Sequence, residues 1–238
     1  MSREIAIVAD PAAAAAERIA AVVRRGGQIA LAGGSTPRRA YELLAAMDLD
    51  WSRCELWLGD DRCVPPANEH SNFKMVGEEL VDRLPICHRP AGWHRIPGEL
   101  GPERAADSFE RELRAAFSAD AELPVFDLIL LGIGPDAHTA SLFPGDAALG
   151  ERRRWAVGVD APGMAPLVPR VTLTLPVLDA AREILFLISG ADKADAVARA
   201  FGDAPGPDAP ASLVRPDHGT LTVLLDQRAA ARLGAADG

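Results

Sequence analysis

An aspartate and a histidine two residues apart form the side-chain pair best suited to proton transfer in this chain. Asp136 and His138 lie in the run GIGPDAHTASLFPG, residues 132–145, directly after an apolar stretch. An imidazole titrates near neutral pH, so it can take a proton from water and return it to a leaving group. The pair predicts general acid–base chemistry, although a lone loop histidine is more often a hydrogen-bonded structural residue.

The start of the same run, residues 132–137, also matches the GxGxxA pattern of dinucleotide-binding turns. Two features argue against that interpretation. Pro144-Gly145 stops any long following helix, and Glu151, at about the distance expected of the ribose-binding acid, lies among Arg152–Arg154 instead of ending a strand. We therefore expect no nicotinamide and no other cofactor.

A second segment, LAGGSTP at residues 31–37, joins an apolar run to a helical pattern. Gly33 and Gly34 let the backbone approach a ligand, and the hydroxyls of Ser35 and Thr36 can donate to an anion at a helix N-terminus. The GxxxxGK[ST] spacing of a Walker loop is absent. A tight turn in which one hydroxyl merely caps the helix accounts for the same residues about equally well.

Two further segments place cations after predicted strands. In GDDR, residues 59–62, we expect Arg62 to turn inward and stabilise substrate charge, with a neighbouring acid holding it; a surface ion pair is the alternative. Lys193 falls in the first turn of a predicted helix, where the macrodipole disfavours a cation by roughly 0.3–1 kcal/mol. Neutralisation by Asp192 and Asp195 would explain this position, but with three other segments after strands we favour a bound phosphate, which would reverse that penalty.

Short apolar runs alternate with helical patterns, which is typical of an α/β fold with a mainly parallel twisted sheet and helices on both faces. The predicted strands are 4–9, 28–32, 55–58, 126–131, 155–159, 171–175, 184–188 and 220–225. The predicted helices are 11–25, 37–47, 72–84, 102–117, 192–201 and 227–233, and 202–210 is predicted to be a surface loop. Ligands of open α/β sheets bind where strands end at their carboxyl side, so we expect these segments to meet in one pocket.

The composition favours a globular protein that binds a small molecule. The 238 residues are 48% hydrophobic and 25% charged, which suits a single domain over 1–238. The net charge of −9 argues against affinity for nucleic acid or acidic membranes, and no apolar run reaches the roughly 20 residues of a membrane helix. The N-terminus lacks a signal region. Three cysteines without CxxC and histidines without HExxH indicate reduced thiols, a cytoplasmic location and no metal.

Together these segments resemble the 6-phosphogluconolactonase family over nearly the whole chain. The matches are GGSTP, GDxR-VPP followed by SNF, GxDxHTASLFPG, RVTLTLP at 170–176 and GADKA at 190–194. The resemblance implies a modified Rossmann-like α/β fold shared with glucosamine-6-phosphate deaminases. It also implies metal-free hydrolysis of 6-phospho-D-glucono-1,5-lactone to 6-phosphogluconate in the pentose phosphate pathway, by a monomer or weak dimer.

The resemblance and the chemistry of each residue type together suggest the site roles. His138 would activate water, Asp136 would orient it, and Arg62 would stabilise negative charge. The residues expected to bind substrate are Gly33, Gly34, Ser35, Thr36, Asp60, Arg170 and Lys193.

Two positions depart from the family pattern. Ala137 replaces the usual glycine before the histidine, so a positive φ there would add strain, and Asp61 replaces the usual glutamate. A glucosamine-6-phosphate deaminase is the nearest rival, but its Asp-Glu-Tyr and HIAFNEP-like segments are here replaced by Arg62 and by TASLFP at 139–144. A non-catalytic sugar-phosphate sensor is the rival from another class, and the basic helix–turn–helix extension that often accompanies it is absent.

Overall fold

The computed structural model describes residues 2–118, 120–202, 206 and 208–234. Its strands are β1 Ser2–Ile7, β2 Gly27–Leu31, β3 Cys54–Leu58, β4 Asp60–Arg62, β5 Gly92–Trp93, β6 Leu128–Leu131, β7 Ala156–Val159, β8 Arg170–Leu173, β9 Glu183–Ile188 and β10 Thr220–Leu225. Its α-helices are α1 Pro11–Arg25, α2 Ser35–Ala45, α3 Asn72–Glu79, α4 Pro102–Phe117, α5 Leu175–Asp179 and α6 Ala194–Phe201.

Seven strands form a parallel sheet in the order β1-β10-β9-β6-β2-β3-β5, flanked by helices. The predicted fold class is confirmed. The strands β9, β6, β2 and β3 are neighbours. The four segments predicted to bind substrate or catalyse its reaction follow the carboxyl ends of these strands. Adjacent strands lie about 4.8 Å apart, so these segments converge on one edge of the sheet.

A second, antiparallel sheet of order β4-β8-β7 was not predicted. The runs 155–159 and 171–175 were expected in the parallel sheet, and residues 60–62 were expected to be a loop. At Gly59 the chain leaves the large sheet: the Gly59 amide donates to Leu31 O at 3.0 Å, while Gly59 O accepts from Leu173 N at 2.9 Å. This change of partner turns the GDDR segment into the short strand β4.

Local signals explain most helix boundaries. The Asp10 side chain accepts from Ala13 N at 3.0 Å to cap α1, and Gly26, at φ +77°, ends it. Two predictions were wrong. The helix expected over 72–84 ends at Glu79, because Leu80 leaves helical geometry at φ −129°, and a 3₁₀ turn follows. Residues 227–233 form turns.

The core lies between the large sheet and its helices. All residues of β6 are buried, as expected of a strand covered on both faces. On α4, Phe109 and Leu113 are fully buried, and Phe117, four residues further on, is partly buried against the core. Cys54, Cys63 and Cys87 are free thiols. No helix within the described ranges is long and apolar enough to cross a membrane. The predicted loop 202–210 lies partly outside the described residues.

Candidate active site

The loop after β6 holds the His138 imidazole against the Asp136 carboxylate. The Asp136 Oδ1 atom lies 2.5 Å from His138 Nδ1 and accepts from the His138 backbone N–H at 3.1 Å. The loop is closed by a hydrogen bond from Gly134 N to His138 O at 2.9 Å. Because Nδ1 is engaged, the imidazole presents Nε2 as its available atom. Burial acts to raise the pKa of Asp136, but the hydrogen bond and charge of His138 outweigh it and hold that pKa below its usual value.

Two small residues let the ring take this position. A Cβ on Gly134 would overlap the Cε1 and Nδ1 atoms of His138, so the site requires glycine there. Ala137 adopts φ +68° and is fully buried, so the strain predicted for this departure from the family pattern is present. The Ala137 carbonyl accepts from Ala211 N at 3.0 Å, which helps to hold the strained turn.

The imidazole faces an open pocket at the carboxyl edge of the parallel sheet. The pocket contains about 710 Å³ of empty space, part of it continuous with solvent. The His138 side chain is 14% exposed, so it is neither packed in the interior nor free in solvent. The polar, charged and glycine residues lining the pocket are Gly33, Gly34, Gly59, Asp60, Arg62, Asn72, Gly132, Gly134, His138, Arg170 and Lys193. The four predicted strand-end segments therefore meet around one space, together with Asn72 and Arg170.

Arg62 and Arg170 form the cationic wall of this pocket. The Arg62 Nη1 atom donates to His70 O at 2.8 Å and to Asn72 Oδ1 at 2.9 Å. The prediction that an acid holds its guanidinium is wrong, because an amide and a carbonyl do so. Arg170 is 3% exposed, and its Nη2 donates to Met164 O and Pro166 O at 3.0 and 3.2 Å. Burial lowers the pKa of Arg170 from its usual value.

The two carboxylates of the GDDR segment have different tasks. Asp60 lines the pocket and accepts from the buried Ser141 hydroxyl at 2.6 Å. Asp61 points the other way and accepts from the backbone N–H groups of Arg62, Asn72 and Phe73 at 2.8, 2.7 and 3.2 Å. Burial raises the pKa of Asp61 to about 6, against these hydrogen bonds. Asp61 thus ties β4 to the start of α3.

The expected anion-binding turn leads directly into α2. Gly34, at φ +110°, occupies the N-cap position, and no side chain caps the helix. The alternative in which Ser35 or Thr36 caps α2 is therefore not observed. Ser35 is exposed and Thr36 half-buried, and neither is among the residues that line the pocket, although Gly33 and Gly34 are.

Lys193 reaches the pocket from the end of β9. It was predicted in the first turn of a helix, but it closes a 3₁₀ turn immediately before α6. Its Nζ lies 3.4 Å from Asp192 Oδ2, and the side chain is 23% exposed. Asp226 fixes the loop that carries it, accepting from Ser189 Oγ at 2.6 Å and from Gly190 N at 3.1 Å.

Sequence reasoning missed Asn72 as a pocket residue. The SNF segment was noted as a family match, and Ser71 is a recognisable helix cap whose hydroxyl accepts from Lys74 N at 3.3 Å. That cap places Asn72 at the first position of α3, yet nothing in the local pattern shows that its side chain contacts Arg62 and the backbone of Asp60. Those contacts join segments that only the tertiary fold brings together.

The chain is similar to known proteins over most of its length. The family model described as glucosamine-6-phosphate isomerases/6-phosphogluconolactonase matches residues 2–223. The 6-phosphogluconolactonase of Homo sapiens is 41% identical over 211 residues, covering 86% of this chain and 80% of that protein. The 6-phosphogluconolactonase of Synechocystis sp. is 39% identical over 217 residues, covering 90% and 88%.

A solved structure gives the same result for the fold. The 6-phosphogluconolactonase from Trypanosoma cruzi superposes with a TM-score of 0.82 at 28% identity, covering 99% of both chains. The predicted family is thereby confirmed: the chain belongs to the family of glucosamine-6-phosphate isomerases and 6-phosphogluconolactonases, and it is an enzyme of the 6-phosphogluconolactonase type.

Proposed function

We propose that this enzyme hydrolyses 6-phospho-D-glucono-1,5-lactone to 6-phosphogluconate, with His138 as the general base. The observation that supports this most is the imidazole, oriented by Asp136 at 2.5 Å and facing a pocket whose other walls carry arginines and a lysine. A sugar lactone phosphate needs both features: a base near its carbonyl carbon and cations around its phosphate.

The reaction requires two proton transfers, and both take place at His138 Nε2. His138 Nε2 takes a proton from water as the water oxygen attacks the lactone carbonyl carbon. The bond between that carbon and the ring oxygen then breaks, and the imidazolium returns the proton to the ring oxygen as it becomes a hydroxyl. Asp136 keeps the proton of the neutral ring on Nδ1 and stabilises the imidazolium that forms between the two transfers.

Different cations suit the two ends of the substrate, the 6-phosphate and the lactone carbonyl. The backbone amides at the start of α2, next to Gly34, together with Lys193 suit the 6-phosphate, because a helix N-terminus and an ammonium both favour an anion. Arg62 stabilises the negative charge that develops on the carbonyl oxygen, and Arg170 adds positive potential from the neighbouring strand. A lactone is already a reactive ester, so positioning, one base and charge stabilisation are sufficient.

The test is a lactonase assay on freshly generated 6-phosphogluconolactone, corrected for spontaneous ring opening. We expect turnover well above the uncatalysed rate and no release of ammonia from glucosamine 6-phosphate. Ammonia release with no lactone opening would reassign the chain to the deaminases. Tight binding of 6-phosphogluconate by calorimetry, without turnover of the lactone, would identify a sugar-phosphate sensor.

A further inference from the structure

Asn72 lies where three strand-end segments meet. It is 3% exposed and lines the pocket at the first position of α3. Its backbone N–H donates to Asp61 Oδ1 at 2.7 Å, which fixes the residue relative to β4. Its side chain lies against Gly33, in the glycine turn Gly33–Gly34 that follows β2.

The side-chain amide of Asn72 has a single satisfactory orientation. The Nδ2 group donates to the Asp60 carbonyl at 2.9 Å, while Oδ1 accepts from Arg62 Nη1 at 2.9 Å. A carbonyl can only accept and a guanidinium can only donate, so a flipped amide would lose both hydrogen bonds. The amide therefore locks the Arg62 side chain to the backbone of its own strand.

The same amide explains the glycine at position 33. A Cβ on Gly33 would overlap the Oδ1, Cγ and Nδ2 atoms of Asn72. The backbone of Gly33 lies outside the left-handed region, so its conformation alone would accept alanine. Gly34 is different, because its φ of +110° favours glycine whatever its neighbours are. Position 33 is thus restricted by a contact and position 34 by the backbone.

We infer that Asn72 is a positioning residue. It holds the Arg62 guanidinium at a fixed place relative to the turn Gly33–Gly34, so that this cation and the anion-binding backbone of the turn face the same substrate. Asp61 cannot hold the guanidinium, because its carboxylate is occupied by backbone N–H groups. Among the described residues, the other hydrogen-bond partner of the Arg62 Nη1 atom is the carbonyl of His70, in an exposed loop. Loss of the Asn72 amide would leave Nη1 bonded to that carbonyl without the contact to β4.

The inference rests in part on the proposed lactonase activity, so the experiment has one arm with turnover and one without. The first arm is a double-mutant cycle of Asn72→Ala and Arg62→Ala, read as kcat/KM for the lactone. We expect each single variant to lose on the order of 10²-fold, since misplacing a charge-stabilising group by about 1 Å has that effect. Because Asn72 acts through Arg62, the double variant should lose little more than Arg62→Ala. Losses that multiply would overturn the inference.

The second arm measures thermal stability and needs no activity. Gly33→Ala should lower Tm clearly in the wild type but little in the Asn72→Ala background, because the overlap is then gone. An equal loss in both backgrounds would overturn the inference even if the lactonase activity is present. If the lactonase activity is absent, this arm still reports on the contact, so the two failures are distinguishable.

One variant serves as the control, and a second variant replaces Asn72→Ala if that protein does not fold. Gln227→Ala removes an exposed side-chain amide that neither lines the pocket nor belongs to the loop that contacts Arg62, so it should leave kcat/KM and the effect of Gly33→Ala unchanged. If Asn72→Ala does not fold, Asn72→Ser takes its place in both cycles, because a serine hydroxyl is too short to reach Arg62. The same criteria then apply.

Discussion

Arg62 and Arg170 are register partners across the small antiparallel sheet, which sets two guanidinium groups side by side in one pocket wall. Each has a buried Nε atom without a hydrogen-bond partner among the described residues. Neighbouring like charges repel, and an unsatisfied buried donor is unfavourable, so the arrangement is best stabilised by an anion.

We therefore expect inorganic phosphate or 6-phosphogluconate to stabilise the folded protein. At a concentration one hundred times its Kd, a ligand specific for the native state adds about 2.7 kcal/mol to the free energy of unfolding. Thermal unfolding at increasing phosphate measures this as a rising Tm. Arg170→Met should remove much of the increase seen with 6-phosphogluconate, whose carboxylate replaces the lactone carbonyl at the arginine end, whereas Arg104→Met, an exposed arginine on α4, should leave it intact. If neither phosphate nor 6-phosphogluconate changes the Tm, the pocket does not bind anions.

Gly134 is expected to be essential for the position of the imidazole. In Gly134→Ala the new methyl group would displace the His138 ring, and we expect kcat to fall on the order of 10²-fold. Gly150→Ala is the matched control, because its Cβ would enter open space and its φ lies outside the left-handed region. Folding of both is checked by circular dichroism. A folded Gly134→Ala with wild-type kcat would mean that the ring position does not matter.

Asp136→Asn should retain the shape of the loop but lose the charge that stabilises the imidazolium. We expect kcat to drop at least on the order of 10²-fold while KM changes little, because the carboxylate acts on the imidazole and does not line the pocket. Asp146→Asn serves as the control, since Asp146 caps a nearby 3₁₀ turn through Ala148 N at 2.7 Å. Equal kcat values for Asp136→Asn and the wild type would exclude a role for this carboxylate.

The buried carboxyl of Asp61 should make stability fall as pH rises. Its pKa is about 6 in the folded protein against an ordinary value of 3.8, so between these pH values the native state holds more protons than the unfolded state. The contribution is lost from about pH 4 to pH 6 and amounts to about 3 kcal/mol. Above about pH 7 it no longer changes.

Urea unfolding of the wild type and Asp61→Asn across this range isolates the effect. Asp179, whose pKa is also raised to about 6 by burial, is present in both proteins and cancels. We expect the stability of the wild type relative to the variant to decline from about pH 4 to about pH 7. Parallel curves would show that Asp61 titrates at its ordinary value; an NMR titration of its carboxyl gives the same answer if the variant is too unstable.

The elements that sequence predicted well are those with strong local signals. The helix over 102–117 and the strand over 220–225 have the predicted bounds, because proline and an apolar stripe define the first and a continuous apolar run defines the second. Helix α3 was predicted too long, since it ends at Glu79 because of a backbone change at Leu80 that the apolar spacing does not reveal.

The small antiparallel sheet and the hydrogen-bond partners of Arg62 could not be predicted from local sequence signals. Strand β4 has three residues, and its pairing with β8 joins residues more than a hundred positions apart. Polarity suggested an acid beside the Arg62 guanidinium, but Asp61 instead accepts from backbone N–H groups and Asn72 takes its place. The convergence on one pocket was predictable because the strand-end rule depends on topology and not on side-chain detail.

The central claim, that the imidazole of residue 138 removes a proton from water at the lactone carbonyl, is tested by one comparison. His138→Gln and His218→Gln, the second an exposed histidine outside the pocket, are assayed on freshly prepared 6-phosphogluconolactone at neutral pH. The account predicts that His218→Gln keeps the wild-type rate, while folded His138→Gln loses on the order of 10²–10⁴-fold in kcat. Wild-type turnover by folded His138→Gln would contradict it.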